Sequence, residues 1–194
     1  METLLGIVGK DYTLLAADAV SARSIVVMKR GEDKSRPLND HNLMVFTGEP
    51  GDAVNFAEFI QANLKLYEIR NATPLSTKAI ASYTRRELAD SLRSRNSYAV
   101  NLLIGGVDPK TKTPELYWMD YLGAMVKVNH GAHGYAAYFC SSVFDRHWKA
   151  DMSLDEGIAL LQKCLHELRT RLVVNQSVFI VKVVDSNGIR EIQV

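Results

Sequence analysis

The hydrophobic period of this chain changes repeatedly, and that pattern limits the available folds more than any single motif. Apolar residues form strand-length groups up to Phe46 and recur every three or four positions from Asp52 to Arg95. They return to strand-length groups from Val100 to Val128, turn helical again from Ala136 to Arg171, and end in strands from Val178 to Ile192. Blocks of strands kept apart from blocks of helices argue an α+β fold with antiparallel sheets. The helices come in pairs with amphipathic faces, which suits outer layers over two stacked sheets. The expected architecture is therefore a four-layer αββα sandwich, with 194 residues forming one domain over 1–194.

The first block starts with a hairpin. Leu4–Val8 and Tyr12–Asp18 are strand-length runs joined by Gly9-Lys10-Asp11. Ser24–Lys29 reads as a third strand, followed by a charged turn over Arg30–Lys34, and Leu43–Phe46 reads as a fourth. Gly48-Glu49-Pro50-Gly51 ends the block. A helix is expected over Asp52–Arg70, burying Val54, Ala57, Phe59, Ile60, Leu64 and Tyr67. A second is expected over Ser76–Arg95, with Ser76 as its N-cap and Ile80, Tyr83, Leu88 and Leu92 inward.

Val100–Val107, Leu116–Asp120 and Ala124–Val128 then form a meander. The loop from Asp108 to Pro114 carries a proline at each edge, and Tyr121-Leu122-Gly123 makes the second turn. His130–Gly134 reads as a flexible glycine-rich connection. Helices follow over Ala136–His147 and Ser153–Arg171, the latter opened by the capping box Ser153/Glu156. Ile158, Leu161, Cys164, Leu165 and Leu168 share one face of it. Val178–Val184 and Ile189–Ile192, joined by Asp185-Ser186-Asn187-Gly188, close the chain as a hairpin.

Composition removes several function classes. A net charge of +1 gives no general attraction to nucleic acid or membrane. No apolar run approaches the ~18 residues of a membrane span, and no secretory leader precedes the first strand. Cys140 and Cys164 lack metal-type spacing, so free thiols in a reducing, intracellular compartment are expected. Asn71-Ala72-Thr73 and Asn175-Gln176-Ser177 then match the glycosylation pattern by chance.

Nucleotide-binding glycine loops and a Gly-x-Ser-x-Gly elbow are absent. Arg85, Arg86, Arg93 and Arg95 lack interleaved aromatics and are diluted by Glu87 and Asp90, so they read as a solvated or subunit-facing surface. His130-x-x-His133 could hold a metal on a rigid helix, but its glycine-rich surroundings favour a loop or subunit contact. What remains is Thr3. A threonine hydroxyl served by its own α-amine is a nucleophile that needs no histidine. With Met1 and Glu2 ahead of it, the nitrogen of Thr3 is an amide without a basic lone pair. The hydrolase reading therefore needs trimming to Thr3.

Over essentially its whole length the chain resembles the β-type subunits of the eukaryotic 20S proteasome. Thr3-Leu4-Leu5-Gly6, Leu15-Ala16-Ala17-Asp18 and Thr47-Gly48-Glu49-Pro50-Gly51-Asp52 carry the general resemblance. The stretches 56–63, 86–95, 101–106 and 132–135 are most similar to the non-catalytic members at the fourth position of the β ring. The resemblance implies the N-terminal nucleophile hydrolase fold. It further implies a structural role in β-ring assembly and in enclosing the chamber for ubiquitin-dependent protein degradation. The implied partners are other β subunits in a heteroheptameric ring, α-ring subunits and the opposite β ring, in cytoplasm and nucleus. No cofactor, metal, nucleic acid or membrane is implied.

Active members of that family use an N-terminal Thr, an Asp, a Lys, a Ser in a Gly-Ser-Gly-Ser-like turn and an Asp-x-x-Ser-Gly-Gly segment. Here Asp18 falls on the Asp and Lys34 on the Lys, while the nucleophile's place falls near Glu2 or Thr3. His133 stands where the Ser would be, and 171–176 lack the Asp, Ser and both Gly. Asp18 and Lys34 are thus expected as a vestigial ion pair, with no catalytic residue remaining. Subunit contacts are expected from the Arg85–Arg95 helix, His130–Gly134 and Tyr138–Trp148.

Overall fold

The computed structural model describes residues 2–23, 26–108, 110–174, 176 and 178–194. Two five-stranded antiparallel sheets dominate it. The first has the order β10-β1-β2-β11-β12, built from β1 (Leu4–Val8), β2 (Thr13–Asp18), β10 (His130–His133), β11 (Phe179–Asp185) and β12 (Gly188–Ile192). The second has the order β5-β6-β7-β8-β9, built from β5 (Ser35–Asn39), β6 (Asn42–Gly48), β7 (Val100–Val107), β8 (Pro114–Met119) and β9 (Met125–Val128). A separate ribbon pairs β3 (Val20–Arg23) with β4 (Val26–Arg30).

Three apolar layers hold these elements together. In β1 and β2 successive side chains point to opposite faces. Leu5, Ile7, Leu14 and Ala16 pack on Cys140, Phe144, Leu161, Cys164, Leu165 and Leu168 of α3 (Ala136–His147) and α4 (Leu154–Arg171). Leu4, Leu15 and Ala17 instead meet Leu43, Val45, Leu103 and Leu116 of the other sheet. That second sheet turns Met44, Phe46, Leu102 and Ile104 toward Phe56, Ala57, Ile60, Ile80 and Leu88 of α1 (Pro50–Asn71) and α2 (Thr77–Leu92). A strand buried on both faces reads as an unbroken apolar run, which is how β1, Leu14–Ala17 of β2 and Leu102–Val107 of β7 look in the sequence. The αββα sandwich is the observed architecture.

The helix ends follow local chemistry. Pro50, needing no N–H partner, opens α1 two residues ahead of Asp52. The Ser76 hydroxyl caps α2 by accepting from the Ala79 N–H at 3.3 Å. The capping box of α4 is complete, Ser153 and Glu156 bonding each other's backbone. Between β11 and β12, Asp185 pairs with Gly188 across the turn, as the turn residues led one to expect.

Several elements differ from the sequence reading. The strand expected over Ser24–Lys29 is replaced by β3 and β4 on either side of Ser24 and Ile25, which lie outside the described residues. β5 was not expected, because Arg36-Pro37 breaks its pattern; it is an edge strand, where a residue without an N–H is tolerated. Met1, Pro109, Asn175 and Ser177 also lie outside the described residues.

On α1, Phe56 and Ala53 are buried in place of the expected Phe59 and Tyr67, which are exposed. α2 ends at Leu92 instead of Arg95, and Leu92 faces solvent. His130–His133 is no flexible connection: it is β10, taking up the otherwise open edge of β1 with Leu4 opposite His133 and Ile7 opposite His130.

Candidate functional site

The start of β1, the end of β2, the lead-in to β5 and the end of β6 converge on a small polar cluster between apolar layers. Thr3 is fully buried. Its N–H donates to Asp18 Oδ1 at 2.7 Å, and its hydroxyl donates to Gln176 Oε1 at 2.6 Å. Antiparallel pairing fixes this meeting, since the Asp18 N–H donates back to the Thr3 carbonyl at 3.0 Å.

Lys34 Nζ donates to Asp18 Oδ2 at 2.9 Å and to the Val20 carbonyl at 2.9 Å, and it pairs with Glu2 Oε1 at 3.0 Å. An ammonium has three donors, so its capacity is used. The other oxygen of Glu2, Oε2, accepts from the Thr47 hydroxyl and from the Gly48 N–H at 3.1 Å.

Two glycines make room for this arrangement. A Cβ on Gly48 would lie 2.0 Å from the Ala99 carbonyl oxygen, so only glycine lets the end of β6 turn there. Gly134 has φ +77°, and a Cβ on it would lie 2.0 Å from the Glu2 carbonyl oxygen. The backbone of Glu2 therefore passes directly over Gly134.

The electrostatics separate the two carboxyls. Burial opposes ionisation of Glu2, but the Thr47 hydroxyl, the Lys34 charge and the Gly48 N–H together hold its carboxyl below the usual range. Burial pushes the Asp18 carboxyl up, and the Glu2 charge adds to that; Lys34 and the Thr3 N–H only partly offset it. The space left beside Glu2 is about 30 Å³, lined in part by Lys34, Phe46, Thr47 and Val54. That is room for water and not for a peptide side chain.

Of the residues singled out in the sequence, Thr3, Asp18 and Lys34 come together, with Asp18 and Lys34 in direct contact. His133 does not join them. Its ring stacks on Trp118 at 4.6 Å between centroids, and its Nε2 lies 3.0 Å from the Leu102 carbonyl. Burial lowers its pKa to about 4, keeping the ring neutral. His130 turns the other way and stacks on Phe144 at 5.0 Å. Three residues apart on a strand, the two rings occupy opposite faces and cannot share a metal ion.

Glu2, Thr47, Gly48 and Gln176 were not identified as a connected set. Thr47 and Gly48 were visible only as the approach to α1. Gln176 is 173 positions from Thr3 and carries no local signal for that contact.

Comparison with known proteins gives consistent matches. A family model described as "Proteasome subunit" matches residues 1–184. A Neurospora crassa protein described as "Probable proteasome subunit beta type-4" is 51% identical over 193 residues, covering 100% of this chain and 95% of the relative. The Saccharomyces cerevisiae "Proteasome subunit beta type-4" is 47% identical, covering 99% of this chain and 97% of its own length. The Oryza sativa subsp. japonica "Proteasome subunit beta type-2" is 48% identical, covering 98% and 89%.

Proposed function

The chain belongs to the proteasome subunit family, and from that premise we propose that it is a non-catalytic structural β subunit of the 20S core particle. One observation carries the reading: the Thr3 hydroxyl faces an amide oxygen, which is no base, and the ammonium of Lys34 has no lone pair with which to take its proton. Thr3 is buried with its hydroxyl directed to Gln176, and Lys34 is saturated by Asp18, Val20 and Glu2. The Glu2 carboxylate also fills the space in front of Lys34, Thr47 and Gly48. The charges that remain from the family's active arrangement hold the N-terminal strand in place instead of activating a hydroxyl.

Its work in this reading is geometric. The chain occupies one place in a seven-membered β ring, helps to close the proteolytic chamber, and meets neighbouring β subunits, an α ring and a second β ring. A closed ring of unlike subunits needs two different complementary faces on each member. Exposed Tyr138 on α3, together with Arg86 on α2, keeps two of the expected contact regions available. The same role would place it in cytoplasm and nucleus, in the degradation of ubiquitin-marked proteins.

The competing reading is a threonine hydrolase released by loss of Met1 and Glu2. It draws on the Thr3–Asp18 and Asp18–Lys34 contacts. Thr3→Ala in the assembled particle separates the two. Unchanged rates toward every cleavable peptide class support the structural role, and loss of one class overturns it.

A further inference from the structure

Glu2 and the groups that receive its carboxylate come from different parts of the fold. Glu2 precedes β1 in the first sheet. Its receivers are Lys34, just ahead of β5, and Thr47 with Gly48 at the end of β6, in the second sheet. Each receiver is fixed without Glu2. Lys34 is only 5% exposed and keeps its bonds to Asp18 and the Val20 carbonyl. Thr47 and Gly48 are held by pairing with Asn101 and Val100. Gly48 is further confined by the Ala99 carbonyl.

An ammonium, a hydroxyl and a backbone N–H converging on two oxygens form a receptor for one carboxylate. We infer that Lys34, Thr47 and Gly48 form a preformed carboxylate-binding seat whose resident occupant is Glu2, and that this seat accepts a free monocarboxylate once the Glu2 side chain is removed. The inference rests on the reading that Thr3 performs no chemistry.

The ligand class follows from size and charge. Glu2→Ala removes a CH₂–COO⁻ group, the equivalent of acetate. The adjoining space of about 30 Å³, lined in part by Phe46, Pro50, Ala53 and Val54, has room for little beyond the acetate itself, so longer carboxylates are disfavoured. Asp18 behind Lys34 and Glu32 in the pocket wall are also acidic, so a doubly charged anion such as sulfate is disfavoured.

The test uses the full chain. Thermal midpoints of the wild type and Glu2→Ala are measured in sodium chloride, sodium acetate and sodium sulfate at matched ionic strength. Acetate is expected to raise the Glu2→Ala midpoint saturably, by about 3–5 °C at ten times its half-saturating concentration. Wild type should not respond, nor should either protein respond specifically to sulfate. Equal responses of both proteins to acetate, or no response of the variant, overturn the seat.

If Glu2→Ala does not fold, Glu2→Gln, which fits the same space, replaces it. The Gly48 amide proton should then move upfield relative to wild type as a charge-assisted bond becomes neutral. An unmoved amide overturns the seat. A covalent adduct on wild-type Thr3 would instead overturn the silent reading, whatever acetate does, so the two failures are distinguishable.

Discussion

The polar cluster at the head of β1 and the outer faces of β4 and α1 invert the usual distribution of residues. Inside, Asp18 and Lys34 are packed among apolar layers, with the partly exposed Glu2 at their edge, and every one of these ions is paired. Outside, Val26, Val27 and Met28 on β4, and Phe59, Leu66 and Ile69 on α1, face solvent. Buried charge is costly and is kept only where its partners are fixed. Exposed apolar clusters mark surfaces meant for contact. An open catalytic cleft would require the reverse at Thr3: an accessible nucleophile and an unoccupied base. The difference points to a protein whose business lies on its outer faces, with a sealed interior where relatives could place chemistry.

The sharpest way to break that contrast is Asp18→Ala. It deprives Lys34 and the Thr3 N–H of a partner inside the core, and unfolding free energy should fall by about 3–5 kcal/mol in denaturant titration. Retention of full stability would mean that the cluster is not sealed.

The second test uses pH. Burial holds the pKa of His133 at about 4 in the folded chain, below the ordinary histidine value of about 6.5. The unfolded chain therefore binds the proton first. The stability gained by keeping this ring neutral is complete above about pH 6.5, declines as pH falls, and is gone near pH 4. Its size is on the order of 3 kcal/mol. Replacing His133 with Phe should flatten that part of the stability–pH curve, while an unchanged slope would place the proton elsewhere.

How much of this was legible beforehand differs between the two regions. The sandwich, most element positions and the Asp18–Lys34 contact follow from hydrophobic period, turn residues and family pattern. The closure of the site does not. Glu2 reaches Thr47 and Gly48 only because Gly134 lets its backbone pass, and Gln176 reaches Thr3 only after β11 pairs with β2. β10 was hidden for a related reason. A glycine-containing tetrapeptide has weak strand propensity, and the open edge of β1 supplies what the sequence lacks. The outer face of α1 was misread because Phe59 and Tyr67 fit the helical period as well as Phe56 does; which face sits on the sheet is decided by tertiary packing.

Two smaller effects sharpen the contrast. Thr3→Val keeps the shape, removes the hydroxyl donated to Gln176, and should cost about 1 kcal/mol, read from the shift in denaturation midpoint. Met28→Asp and Ile69→Asp, at exposed positions, should each change the stability of the separate chain by less than about 0.5 kcal/mol. Both should nevertheless reduce incorporation into the particle, measured by native mass against wild-type chain in competition. Equal incorporation would leave those apolar faces without the contact role assigned to them.

The most direct measurement is the intact mass of this chain, taken from an assembled particle after exposure to a threonine-directed covalent probe that saturates the particle's active subunits. The expected result is no added mass on this chain, with Glu2 still present ahead of Thr3. A chain beginning at Thr3 and carrying the probe would contradict the sealed, structural site.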